Sequence, residues 1–228
     1  MTTEEEDNGT SSTRGGSTRR VLSNDIMTRQ WRPALKGLHR CHENLCLELS
    51  GYYGWSDSFQ SKGAEPHGLS GGLCMFWKHG PQVELVKYAE FYIEVVIHDD
   101  EKKVKWHLLA IYASTNERVH CGQWHTLNKK ILRYTEPCIV VGNFSDILDS
   151  SEKAGGDPRT EQSMAAFRRF LSESMLLHLG FDGYPFTCRN RRESGLIQVR
   201  LDRGLASEKW LEPYPKARMM HQILPEKL

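Results

Sequence analysis

Pro137-Cys138-Ile139-Val140-Val141-Gly142-Asn143-Phe144-Ser145-Asp146-Ile147-Leu148 runs from a short β-branched segment into a glycine and a cluster of small polar residues. A continuous apolar run of this length, without polar alternation, predicts a strand buried on both faces. Its end delivers polar side chains to the end of a sheet, where sites collect in α/β proteins. Glu152-Lys153-Ala154-Gly155-Gly156 follows as a loop.

The 228 residues suffice for one large α/β domain with a substantial core. The formal net charge of +1 excludes a polycation that coats nucleic acid by bulk charge and leaves only local basic patches. Cys41, Cys46, Cys74, Cys121, Cys138 and Cys188 form no C-x-x-C pair and no zinc spacing. Four of them lie in apolar runs and read as small core residues in a reducing compartment. Cys41 and Cys46 lie near His39 and His42, but a metal reading needs a second cluster at ligand spacing, so ordinary structural residues are the simpler reading. No apolar stretch approaches the roughly 20 residues of a membrane helix, and the N-terminus lacks a hydrophobic signal core. The expectation is a soluble intracellular protein, in the nucleus or cytoplasm, with its oligomeric state open.

Residues 1–20 are dominated by Thr, Ser, Gly, Arg and acidic side chains, which predicts a disordered tail over residues 1–23 and a domain over residues 24–228. Arg14, Arg19 and Arg20 suit a solvated tail better than a phosphate contact or targeting signal. Leu35, Leu38, Leu45, Leu47 and Leu49 suggest an imperfect helical stripe, and Gly51-Tyr52-Tyr53-Gly54-Trp55 a turn into a strand. Gly68 to Lys78 reads as a glycine turn opening a buried strand. Val83 to Val86, Phe91 to Ile97 and Val104 to Tyr112 predict an antiparallel meander, with Asp99-Asp100-Glu101-Lys102 as an exposed tip. Asn116 caps a helix whose buried face is Trp124, Leu127, Ile131 and Leu132, with His120 and His125 at the surface. A second helix starts near Ser163 and aligns Met164, Phe167, Leu171 and Met175, leaving Arg168 and Arg169 outside the stripe. Leu179-Gly180-Phe181-Asp182-Gly183 reads as a helix stop and turn.

In order and spacing, these segments resemble the endonuclease/exonuclease/phosphatase superfamily, in the form carried by plant LINE-type (non-LTR) retroelements. The likeness covers residues 45–221. Ser70-Gly71-Gly72-Leu73 with Trp77-Lys78 resembles that family's Ser-Gly-Gly-Leu to Trp-Lys strand. Phe186-Thr187-Cys188-Arg189-Asn190 resembles Phe-Thr-Trp-x-Asn, and Arg200-Leu201-Asp202-Arg203-Gly204-Leu205-Ala206 resembles Arg-Leu-Asp-Arg-Ala-Leu-Ala. The resemblance implies an α/β (α+β) fold, a four-layer sandwich of two mixed β-sheets flanked by helices, truncated here at both ends.

The same resemblance implies a site and shows where it has changed. The family's Gly-Asp-Phe-Asn supplies an acid and an amide beside the scissile phosphate; this chain has Asn143 and Ser145 there. Tyr112, at a strand end, matches a tyrosine that faces the phosphate, although a core tyrosine is an equally good reading of the residues. Asp202 matches the acid that orients a Ser-Asp-His histidine some 30 residues on, which this sequence does not reach. The metal-binding glutamate should fall near Ala34-Leu35-Lys36, where no acid stands, and Asn24 is a poor match for the family's first asparagine. The remnant site is therefore Tyr112, Asn143, Ser145, Asn190 and Asp202. Magnesium relies on one or two carboxylates, and an amide cannot act as a base near neutral pH. The expectation is a retroelement-derived endonuclease-like domain without hydrolysis, needing no cofactor and holding DNA weakly. The alternative is an active magnesium-dependent DNA endonuclease or phosphodiesterase.

Overall fold

The computed structural model describes residues 34–41, 44–50, 59–64, 73–78, 82–192 and 195–221, with side chains before residue 82 described only at Leu73 and Met75. These residues belong to one compact unit, Trp31–Leu228. The chain enters through strands β1 (Ala34–Cys41), β2 (Asn44–Ser50), β3 (Phe59–Ala64) and β4 (Leu73–Lys78). They form a mixed sheet in the order β1-β2-β4-β3. Where the leucine spacing suggested a helix, the structure has the antiparallel pair β1–β2, with Leu35 opposite Leu49. Leu45, Leu47 and Leu49 recur at every second residue, the period of a strand, and that local pattern prevails over the longer helical one. The readings of residues 1–33, 51–58 and 65–72 lie outside the described residues.

Strands β5 (Gln82–Ala89), β6 (Tyr92–Asp99) and β7 (Val104–Tyr112) form the expected antiparallel meander. Helix α1 (Glu117–Ile131) then crosses over to β8 (Cys138–Asn143), parallel to β7. A single 3-10 turn (Ser150–Glu152), the short β9 (Lys153–Ala154) and helix α2 (Glu161–Ser174) follow. The chain continues through β10 (Leu177–His178), β11 (Phe181–Gly183), β12 (Cys188–Arg192), β13 (Gly195–Val199) and β14 (Asp202–Ala206). Helix α3 (Glu208–Leu211) and β15 (Met219–His221) complete the described chain. The large mixed sheet runs β10-β14-β8-β7-β6-β5, while β12-β13-β9 and β11-β15 form two smaller sheets.

Two cores sandwich the large sheet. On one face Leu73 and Met75 of β4 pack with Ile93, Val95, Leu108, Ala110, Ile139 and Val141, joined by Trp210 of α3. On the other, Leu109, Ile111, Val140 and Leu205 meet Trp124, Leu127 and Ile131 of α1 and Phe167 and Phe170 of α2. The result is a mixed α/β sandwich of sheets flanked by helices. β8, buried along its whole length, lies in both cores, as its unbroken apolar sequence requires.

Several local readings are corrected. Leu132 and Met175 are exposed, because α1 ends at Ile131 and Met175 is a left-handed cap on α2. Phe170, not Met175, completes the buried stripe of α2. His120 is buried: His120, Trp124, Leu127 and Ile131 follow the four-three-four spacing of one helical face. Asp99 is also buried and accepts the Tyr214 hydroxyl, so only Asp100, Glu101 and Lys102 are an exposed tip. Leu179 to Gly183 runs into strand β11 rather than only turning. The segment from Ile197 to Ala206 breaks at Arg200-Leu201 into β13 and β14.

Candidate functional site

The register of the large sheet sets the geometry. Tyr112 of β7 lies opposite Asn143 of β8, and Asn143 lies opposite Asp202 of β14. Cross-strand partners share a face and neighbouring strands lie about 4.8 Å apart, so the three side chains form a row at one end of the sheet. Alternation along each strand puts the row on the face toward β4. Asn143 and Asp202 are buried and Tyr112 is half-buried. Asn190 lies elsewhere, exposed on β12 opposite Ile197 in the three-stranded sheet.

The loop after β8 is held from both sides. Gly142 has φ of 140°, and a Cβ there would lie 2.0 Å from the Ile111 carbonyl oxygen, so the close approach of β7 and β8 requires glycine. Phe144 turns into the helix-side core, with its ring 5.8 Å from that of Trp124 and 5.3 Å from that of Phe167. Its amide donates to the Leu201 carbonyl at 2.9 Å, tying the loop to the start of β14. The Asn143 Oδ1 accepts from the Ser145 amide at 2.8 Å and lies 3.0 Å from the Ser145 hydroxyl, which donates to the Ala113 carbonyl at 2.8 Å. This is an Asx turn, closed on itself. Ser145 has φ of 52°, a left-handed conformation that asparagine adopts several-fold more readily than serine.

A second acid, not among the expected site residues, lies directly behind this turn. Asp146 is fully buried, accepts from the Ile147 amide at 2.9 Å, and places Oδ2 3.3 Å from His120 Nε2. The stripe spacing of α1 was the signal for His120; no pattern in the sequence marks its pairing with Asp146.

The residue after Asp202 points the other way. Arg203 is fully buried beneath the helix-side core, with its guanidinium 5.5 Å from the Phe167 ring centroid. Glu152 accepts from Arg203, from Arg200, and from the Leu148 amide at 2.8 Å. Burial pushes the Glu152 carboxyl up, but the hydrogen bonds and charge of Arg203 and Arg200 outweigh it and hold it below the usual range. In the sequence Glu152 stands in a loop motif, and no local pattern marks its pairing with Arg200 and Arg203.

Among the described residues, the end of the sheet does not offer the set of carboxylates that a magnesium ion relies on. Asn143 is neutral and its oxygen is engaged by Ser145. Asp146 faces His120, which leaves Asp202 as the carboxylate in the row. Among the described residues, no group of three His, Cys, Asp or Glu side chains converges as a metal site would.

No protein-family model and no curated protein matches the sequence. Among solved structures, the chain is similar to the endonuclease domain of TRAS1, a telomere-specific non-LTR retrotransposon. The TM-score is 0.52 at 15% identity, covering 68% of this chain and 69% of that one. This is the endonuclease/exonuclease/phosphatase fold. At lower TM-scores the chain also matches the AP endonuclease LMAP from Leishmania major (0.49, 10% identity, 67% of this chain and 63% of that one). It matches an endonuclease/exonuclease/phosphatase family protein from Bacteroides thetaiotaomicron as well (0.43, 13% identity, 66% and 61%). Within the endonuclease/exonuclease/phosphatase fold, the row Tyr112, Asn143 and Asp202 occupies the ends of three adjacent strands, with Ser145 wrapped over it.

Proposed function

We propose that this chain is a retroelement-derived endonuclease-like domain that has lost hydrolysis and keeps weak, salt-sensitive contact with nucleic acid. The observation that carries the reading is the closed Asx turn. Hydrolysis of a phosphodiester needs a base for water and charge to hold a cation and stabilise the transition state. Asn143 supplies no charge, and its oxygen is turned onto Ser145 rather than outward. Losing a general base alone costs about 10²–10⁴ in rate, and losses within one catalytic unit do not simply multiply. Tyr112 and Asp202 remain as polar neighbours of Asn143. Arg191 and Arg192, exposed on β12, supply local positive charge for salt-dependent contact with a strand.

Plasmid nicking with magnesium or manganese tests the reading, comparing the unmodified chain with Asn143→Asp and Tyr112→Phe. The expected result is no nicking by any of the three. Nicking by the unmodified chain that Tyr112→Phe abolishes would show a working site. Restoration by Asn143→Asp alone would show that the single carboxylate is the whole deficit.

A further inference from the structure

On the helix side of β14, away from the Asn143 row, an open cleft of about 450 Å³ is lined by Leu148, Glu152, His178, Phe181, Arg200 and Arg218. Its charges do not balance. Arg200 and Arg203 share the single carboxylate of Glu152, while Arg218 pairs with Asp182 at 2.8 Å. Among the described residues, one positive charge is left over in a half-buried setting. The Arg200 guanidinium stacks 4.5 Å from the Phe181 ring centroid, which fixes its plane, and its Nε is buried without a hydrogen-bond partner.

His178 carries a second imbalance. The Gly180 amide donates to its Nδ1 at 3.0 Å, and an Arg203 N–H faces its Nε2 at 3.4 Å. Guanidinium and amide groups only donate, and a neutral imidazole has one accepting nitrogen. Whichever nitrogen holds the proton, one N–H is set against another. Arg203 is fully buried and Gly180 is backbone, so His178, on the exposed strand β10, is the group free to turn. An oxyanion in the cleft removes both imbalances at once, taking the excess charge of Arg200 and accepting the proton of His178.

We infer that this cleft is an oxyanion site that takes a phosphate group, bound by Arg200 and His178 with Arg218 at its rim. The ligand chemistry is that of a tetrahedral, multiply charged oxyanion, whose oxygens match the fork of a guanidinium. It comes either as free phosphate or as a backbone phosphate of a nucleic-acid strand. Without the anion, desolvation and then the Arg203 and Arg200 charges hold the His178 imidazole in its neutral form, with its pKa down to about 4; Glu152 opposes them and His221 adds to them. A bound anion raises that value.

The test follows the His178 imidazole by NMR and thermal stability in the full chain while inorganic phosphate replaces chloride at constant ionic strength. Expected are a saturable stabilisation and an upward move of the His178 titration. His178→Ala and Arg218→Gln, both exposed positions, should each weaken phosphate binding about tenfold or more, the usual scale for a hydrogen bond to a charged group. Arg133→Gln, an equal change in charge at the end of α1, should not. A DNA oligomer without terminal phosphates that moves the same His178 signal assigns the site to a strand phosphate. A response to inorganic phosphate alone assigns it to the free ion. A stabilisation that survives both cleft variants, or a His178 titration that phosphate does not move, overturns the proposal.

Discussion

Asp202 and Arg203 are consecutive on β14, and the polar clusters they join have opposite characters. Asp202 belongs to the row with Asn143 on the inter-sheet face, where an uncharged amide and hydroxyl are satisfied by each other and by backbone. Arg203 belongs to the helix face, where two guanidiniums converge on one buried carboxylate. The first cluster is held by hydrogen bonds worth about 1 kcal/mol each, and removing it costs the loop rather than the sheet. The second holds charges in a low-dielectric setting, where each depends on its partner's presence. The inter-sheet end of β14 therefore carries a neutral Asn143–Ser145 turn beside the buried Asp202, whereas the helix face of the same strand carries a buried guanidinium–carboxylate cluster.

The largest expected effect separates the two clusters directly. Glu152→Ala leaves Arg203 buried without its counter-ion and should cost about 3–5 kcal/mol in urea denaturation. The same pair gives stability a pH dependence. A carboxyl held below its unfolded value contributes stability that is present above the ordinary glutamate range and lost as pH falls through the folded value. Glu152 acts in this way, and so does Glu94. Burial pushes Glu94 up, but hydrogen bonds from His107, Lys130 and Tyr134 bring it down to about 2. Stability should therefore fall from about pH 4.5 towards about 2, and Glu152→Gln should flatten part of that slope. A profile identical to that of the unmodified chain would show that the Glu152 cluster carries no such linkage.

Asn143→Ala should come next, at about 1–3 kcal/mol, because it strands the Ser145 amide in a buried turn. Its cost should be independent of pH between 3 and 7 (about the span over which carboxylates titrate). A pH-dependent cost would mean that Asn143 communicates with Asp202 or Asp146. The smallest effect belongs to the cleft rim. Arg218→Ala removes an exposed ion pair with Asp182 and should change stability by about 0–1 kcal/mol. A loss comparable to that of Glu152→Ala would show that the rim and the buried pair form one unit.

Legibility in the sequence followed burial and period. β8 was readable because a strand covered on both faces needs an unbroken apolar run, and Cys138 to Val141 is one. The β5–β6–β7 meander was readable because charged residues mark the turn between two long β-branched runs. α1 was readable except at its edges: His120 was assigned to the surface by residue type although its spacing put it in the stripe. The five leucines from Leu35 to Leu49 misled because two paired strands imitate a helical spacing when read as one segment. Of the expected site, Tyr112, Asn143, Ser145 and Asp202 came together, because the strand order that neighbours them also orders the motifs carrying them. Asn190 is placed on a separate three-stranded sheet, which its strand sequence did not reveal.

By itself the sequence determined that a buried strand carries Gly142 near its end and that a neutral amide follows where the resembling family has an acid; the α/β sandwich was implied by the resemblance to that family. The strand and the amide are local properties: an unbroken apolar run and the charge of one side chain. Only the tertiary structure decided that the Asn143 oxygen closes on Ser145, that His120 meets Asp146, and that Glu152 gathers Arg200 and Arg203. The last two join residues from different elements, and the Glu152–Arg203 pair spans about fifty positions of chain; the Asn143 turn is local but is anchored on the Ala113 carbonyl through the Ser145 hydroxyl. Pairing across such distances depends on strand register and on which face a side chain leaves, quantities that exist only once the sheets are assembled.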